Sequence, residues 1–195
     1  MHSSTVSVVT RVLARSDAST LAHSRRVRLY ATVLSSALRR DLLDESGARL
    51  GFLLHDVGKL GIPPRILGKP GALTATERLL IERHPVLGER MLRRAGLARA
   101  VTLEVVRSHH ERWDGSGYPD GLAGTEIPLG ARVFAVADAL DAITSDRPYR
   151  QARSWSAAVR EIVRQSGRQF DPEVVCAFCE HQQPLRALGR ELRAA

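Results

Sequence analysis

The chemistry in this chain gathers in a few residues: the doublet His55-Asp56, then His84, the doublet His109-His110, and Asp138. Imidazole and carboxylate ligate hard and borderline transition-metal ions, and a carboxylate can bridge two ions while imidazoles fill the outer positions. The 195 residues include only seven histidines, and four of them fall in this set. Any one alone reads most simply as a surface or capped-core histidine. Two doublets, with Lys59 three residues behind the first, read instead as a two-metal hydrolytic centre. His23 supplies a further imidazole, which makes seven candidate ligands and, with Asp56 bridging, eight protein–metal bonds, four per ion. Six-coordinate ions would then keep positions for a bridging hydroxide and a substrate phosphate, the arithmetic of a phosphohydrolase.

Asp138 lies in an otherwise apolar segment, Ala131-Arg-Val-Phe-Ala-Val-Ala-Asp138-Ala-Leu. A buried carboxylate is costly unless it is paired or bound to a cation, so it calls for an arginine partner or a share in the metal. Lys59 can bring positive charge to a phosphate oxygen or leaving group. Arg147 and Arg150, in Arg147-Pro148-Tyr149-Arg150, suit bidentate phosphate binding, with surface salt bridging as the plainer alternative. In the stretch His109-His110-Glu111-Arg112-Trp113-Asp114-Gly115-Ser116-Gly117-Tyr118-Pro119, glycines permit tight turns, and Trp113 and Tyr118 offer rings to stack or polar edges to donate.

The elements that must position these side chains are helical. Leu21, Val27, Tyr30, Ala31 and Leu34 recur at helix spacing in 20–38, and a second helix spans 42–57 with His55-Asp56 near its C-terminal end. Gly58, Gly61, Pro63 and Pro64 break the chain into a loop. Thr74 and Glu77 form a capping box, and Pro85 starts another helix that runs to Leu92. Further helices are expected over 98–110, over 128–143 from Pro128, and over 154–165 and 171–180. Alternating strand patterns are absent. The expected fold is all-α, a bundle of about seven to nine helices.

At this length the chain reads as one domain over 1–195, with a motif-bearing core at about 19–180, a lead-in of 1–18 and a C-terminal helix or tail of 181–195. The start of the chain lacks a secretory pattern, and no apolar stretch spans a bilayer, so a soluble cytoplasmic protein without a membrane partner is expected. Cys176 and Cys179 form a lone CxxC that reads as two small buried thiols. Lysine and arginine outnumber acidic residues 29 to 21, a net charge of +8, and only Lys59 and Lys69 are lysines. That balance favours an anionic partner. Few aromatics and no interleaved basic run exclude a nucleic-acid polymer, which leaves a phosphate-bearing small molecule.

Together the motifs Leu54-His55-Asp56-Val57-Gly58-Lys59, His84-Pro85, the HHERWDGSGYP loop, Ile127-Pro128-Leu129, Val136-Ala137-Asp138 and Arg147-Pro148-Tyr149-Arg150 resemble an HD-GYP domain. This is the subgroup of HD phosphohydrolases similar to cyclic-di-GMP phosphodiesterases, and the match runs from about His23 to Asp171-Pro172. The resemblance implies that His23, His55, Asp56 and Asp138 hold one ion and that His84, His109 and His110 hold the other, with Asp56 bridging. It implies two divalent ions, iron or manganese, and phosphate contacts from Lys59, Arg147 and Arg150, with Tyr118 beside the substrate. Some members carry a glutamate four residues before the first histidine, where it helps to bind a third ion. Here that residue is Ser19, so two ions and single cleavage to linear pGpG are expected.

Two other functions remain in view. One is a non-catalytic sensor of cyclic di-GMP, or a module that docks protein partners through the loop at residues 112–119. The retention of all seven ligands and Lys59 argues against it. The other is an HD-type phosphohydrolase of another nucleotide. No receiver or sensor domain is recognisable, and oligomeric state is not legible.

Overall fold

The computed structural model describes residues 18–38, 45–146 and 151–194. Among these residues the secondary structure is helical, with two isolated bridges and no sheet. The helices are α1 (Ala18–Ala37), α2 (Glu45–Leu54), the single turn α3 (Pro64–Leu67), α4 (Ala75–Ile81), α5 (His84–Arg94), α6 (Ala100–Ser108), α7 (Leu129–Thr144), α8 (Trp155–Arg164), α9 (Pro172–Glu180) and α10 (Gln182–Ala194). Turns of 3₁₀ helix occupy Val57–Gly61 and Gly124–Glu126.

The central element is α7. It is apolar on nearly every side, which suits a helix surrounded by others. Val133, Phe134, Val136, Ala137 and Leu140 are all buried. Against it lie α1, α6, α8 and α9. Helix α1 presents Leu21, Ser24, Val27, Ala31 and Leu34, recurring every three or four residues along one buried stripe. A smaller apolar cluster of Leu54, Val57, Leu92, Leu97, Leu103 and Val106 joins α2, α5 and α6.

Local signals set the helix ends. Thr74 caps α4 in a full capping box, with Thr74 N donating to Glu77 Oε2 at 2.8 Å and Glu77 N to Thr74 Oγ1 at 3.2 Å. Ser154 and Asp171 cap α8 and α9. Pro128, expected in the first turn of α7, is its N-cap, one residue earlier. Helices α2 and α6 stop short of the predicted ends, so both doublets lie just past a last helical turn. The segment expected as a loop after Val57 holds a 3₁₀ turn and the short α3.

Close approach at two glycines brings the ligand-bearing elements together. A Cβ on Gly58 would lie 1.9 Å from His84 O, and one on Gly51 would lie 2.8 Å from Val105 Cβ. The first contact seats the start of α5 against the turn after Asp56, and the second sets α2 against α6. Thr102 Oγ1 donates to Gly47 O at 2.8 Å across that second crossing.

The cysteine expectation is corrected. Cys176 is exposed and Cys179 only partly buried, because α9 turns Val174, Val175 and Phe178 to the core. Among the described residues no helix is long and apolar enough to cross a membrane.

Gly58→Ala should cost about 1–3 kcal/mol or more through overpacking against main chain, lowering the melting temperature by roughly 3–10 °C. Gly68→Ala, whose Cβ would meet only Pro64 O at 3.5 Å, should leave it unchanged. Thermal denaturation by circular dichroism checks both.

Candidate metal centre

Three of the histidines are placed by one device. The last carbonyls of a helix lack intrahelical partners. Here imidazoles take them: His55 Nδ1 lies 3.1 Å from Phe52 O, His84 Nδ1 2.8 Å from Ile81 O, and His109 Nδ1 2.9 Å from Val106 O. A carbonyl only accepts, so each Nδ1 carries a hydrogen, and in the neutral form of such a ring Nε2 is a bare acceptor able to ligate an ion.

These lone pairs converge on Asp56. His84 Nε2 is 3.1 Å from His109 Nε2, 3.3 Å from Asp56 Oδ1, and His109 Nε2 is 3.9 Å from that same oxygen. Asp56 Oδ1 is buried and accepts no hydrogen bond. Acceptors gathered this way repel one another unless a cation lies among them. Metal–ligand bonds of about 2.1 Å place neighbouring octahedral donors about 3.0 Å apart, so the spacing fits a divalent ion. Asp56, His84, His109 and His110 each offer a ligand atom within 4.8 Å of the others. This is one of the two groupings expected from sequence.

The other grouping lies alongside. His55 Nε2 is 3.2 Å from Asp56 Oδ2, which also accepts from Lys59 Nζ at 2.7 Å. Lys59 therefore pairs with the central carboxylate. His23 approaches from α1, with its ring centroid 5.7 Å from that of His55 and Nε2 3.1 Å from Asp138 Oδ1. Phe134 forms the apolar floor, its centroid 4.6 Å from His55 and 5.6 Å from His109.

Protonation follows from these surroundings. Burial, reinforced by His110, His55 and His84, holds His109 well below the ordinary imidazole range. Burial and His84 bring His110 down to about 3. For Asp56, burial pushes upward, but the charges of His55 and Lys59 outweigh it and hold the carboxyl well below its usual value. His23 goes the other way: burial opposes its charge, yet Asp138 and Asp141 raise it to about 9.

Asp138 departs from expectation. Its side chain is 35% exposed, whereas that of Asp141, one turn on, is 1% exposed. Asp141 is the acid that meets an arginine, with Arg26 Nε at 2.6 Å. Sequence reading passed over Asp141. The i, i+3 repeat of Asp138 and Asp141, matched by His23 and Arg26 on α1, was its available signal.

Tyr118 stacks on His110 at 4.7 Å with an interplanar angle of 27°. Trp113 instead lies under Arg132, 6.0 Å from ring centroid to guanidinium. Glu111, also passed over, is buried and shapes the loop by accepting from Asp120 N at 2.7 Å and Leu122 N at 3.1 Å. Beside Tyr118 is an open groove of about 450 Å³ whose lining includes Leu79, Leu80, Glu82, Arg83 and Val86. Arg147 and Arg150 lie outside the described residues, and Ser19 falls in the first turn of α1.

Buried histidines at helix ends, gathered around one carboxylate among the described helices, make a candidate divalent-metal centre. The chain belongs to the HD domain family, which it matches over residues 7–174, and its loop places it in the HD-GYP branch. It is 45% identical over 168 residues to a cyclic di-GMP phosphodiesterase of Pseudomonas aeruginosa, covering 85% of this chain and 40% of that protein. It is 39% identical over 175 residues to a cyclic di-GMP phosphodiesterase of Thermotoga maritima, covering 89% of this chain and 48% of that one. The chain thus spans less than half the length of these curated relatives. A crystal structure of a cyclic GMP-AMP specific phosphodiesterase of V. cholerae has the same fold, with a TM-score of 0.65 at 20% identity over 88% of this chain and 48% of the other.

The loop is tied down by Arg107, which donates to Asp120 at 2.7 and 2.8 Å and to Glu89 at 2.6 Å. Arg107 holds Asp120 below its usual range; burial pushes Glu89 up, but Arg93 and Arg107 outweigh it and lower that carboxyl too. Because both folded values are depressed, the stabilisation is complete above the unfolded carboxylate values of about 4 and is lost as pH falls through the folded values. With solvent screening it amounts to on the order of 1 kcal/mol. Arg107→Met should therefore lower the melting temperature at neutral pH and shrink the loss seen on acidification. Melting curves from neutral to acidic pH check this.

Proposed function

We propose that the chain hydrolyses cyclic di-GMP to linear pGpG at this centre, with two divalent ions held by His23, His55, Asp56, Asp138 and by His84, His109, His110, Asp56 bridging. The observation that carries the reading is the buried, unsatisfied Asp56 Oδ1 facing the bare nitrogens of His84 and His109. The naming of the P. aeruginosa and T. maritima relatives as cyclic di-GMP phosphodiesterases supports the substrate. The ions would supply Lewis-acid polarisation of the phosphodiester and lower the pKa of water.

The chain's own residues do the rest. Asp56 keeps its charge because His55 and Lys59 balance its burial. Lys59 Nζ, 34% exposed at the side chain and anchored on Asp56, is placed to reach a phosphate oxygen at the mouth. Phe134 keeps water from the inner side. Tyr118, stacked on His110, borders a groove of a size for a nucleobase to lie against apolar side chains. Arg147 and Arg150 are assigned to the phosphates on the sequence resemblance. Iron or manganese suits the nitrogen and oxygen donors. On the same reading the protein acts in the cytoplasm, where its substrate is a soluble nucleotide, and the outer part of the loop at residues 112–119 serves a protein partner.

A second reading, cleavage of cyclic GMP-AMP, is favoured by a Vibrio cholerae relative 36% identical over 172 residues and named a 3'3'-cGAMP-specific phosphodiesterase. The two share a backbone and differ in one base, so a substrate panel separates them.

Asp56→Ala should remove bound metal and reduce turnover of cyclic di-GMP by at least about 10³-fold, the scale expected when a centre's shared ligand is lost; metal analysis and chromatographic product assay on anaerobically purified protein measure both. Survival of activity would show the site to be misassigned. In the wild type pGpG should accumulate, and rapid release of two GMP per substrate would refute the single-cleavage reading.

A further inference from the structure

His23 differs from the other histidines in how its second nitrogen is held. His55, His84 and His109 each lean on a main-chain carbonyl. His23 lies inside α1, where the carbonyls are engaged by the helix, and its Nδ1 is instead 2.7 Å from Asp141 Oδ2. Asp141 is saturated: Oδ2 also accepts from Arg26 Nη2 at 3.0 Å, while Oδ1 accepts from Arg26 Nε at 2.6 Å and from Ser145 Oγ at 3.0 Å. Its side chain is 1% exposed. With its acceptor positions committed, Asp141 has nothing to offer an ion directly. Neutralising Arg26 would not require a histidine as well.

We propose that Asp141 is the positioning residue for the His23–Asp138 half of the centre. It holds the His23 hydrogen on Nδ1, turns Nε2 toward Asp138, and makes that nitrogen a stronger donor, while Arg26 keeps the carboxylate ionised and in place. Carboxylates behind metal-bound imidazoles act in this way. His55, His84 and His109 have neutral carbonyls behind them, so the two halves of the centre are electronically unequal, and the His23 half answers to a charge the other lacks. The proposal rests on the ligand assignment made above.

The test is titration of metal-free protein with Mn²⁺ by calorimetry. The wild type should take up two ions. Asp141→Asn keeps the shape but removes the charge and can reverse the tautomer. It should weaken one ion by about 10–100-fold and leave the other unchanged. Ser145→Ala, which removes only one bond to the same carboxylate, should leave both unchanged. Unaltered binding of both ions by Asp141→Asn overturns the proposal, and so does equal weakening of both in a variant that keeps its folded signal, which marks a merely structural role. If that variant does not fold, long-range ¹⁵N–¹H NMR of the unsubstituted, zinc-loaded protein decides: hydrogen on His23 Nδ1 supports the proposal, and hydrogen on Nε2 overturns it. Should the wild type take up no ion, the ligand assignment itself fails. Two ions bound with unchanged affinity in both proteins refute the role of Asp141 alone.

Discussion

The centre depends on an electrostatic conflict around Asp56. A buried carboxylate oxygen without a donor faces imidazole nitrogens whose own hydrogens are committed elsewhere. Unpaired buried acceptors are costly, and several pointing inward at one spot are more so. The surroundings hold the conflict in place: Gly58 lets α5 come close, Phe134 closes the floor, and burial keeps His109 and His110 neutral. The fold preserves the arrangement because the same side chains terminate its helices.

Much of this was legible in the sequence. The helical periods of α1 and α7, the Thr74–Glu77 capping box and Pro128 ahead of α7 rest on local chemistry, and local chemistry is written in short windows. The histidine doublets were legible as ligands because their types and spacing have few structural uses. Their placement just beyond the last helical turn was less so, since it depends on which carbonyls the rings take up.

What escaped depends on relations between helices. Asp138 and Asp141 look alike in sequence, three residues apart in an apolar run, and only the docking of α1 decides that Asp141 is buried and paired with Arg26. Glu111 reads as an ordinary acid until the loop folds back to offer Asp120 and Leu122 amides. Cys176 was misjudged for the same reason, since one helix does not reveal which of its faces meets a neighbour.

The imidazoles that end α2, α4 and α6 have a wider consequence. Each ring is fastened to its own helix by Nδ1 and points its Nε2 at the Asp56 carboxylate, so three helix ends meet around the residue that would join the two ions. Binding there is thermodynamically linked to the docking of those helices. At an ion concentration about a hundred times the dissociation constant, linkage adds about 2.7 kcal/mol to folding, comparable to burying a large apolar side chain. Metal supply would then set how long the folded chain lasts as well as how fast it works.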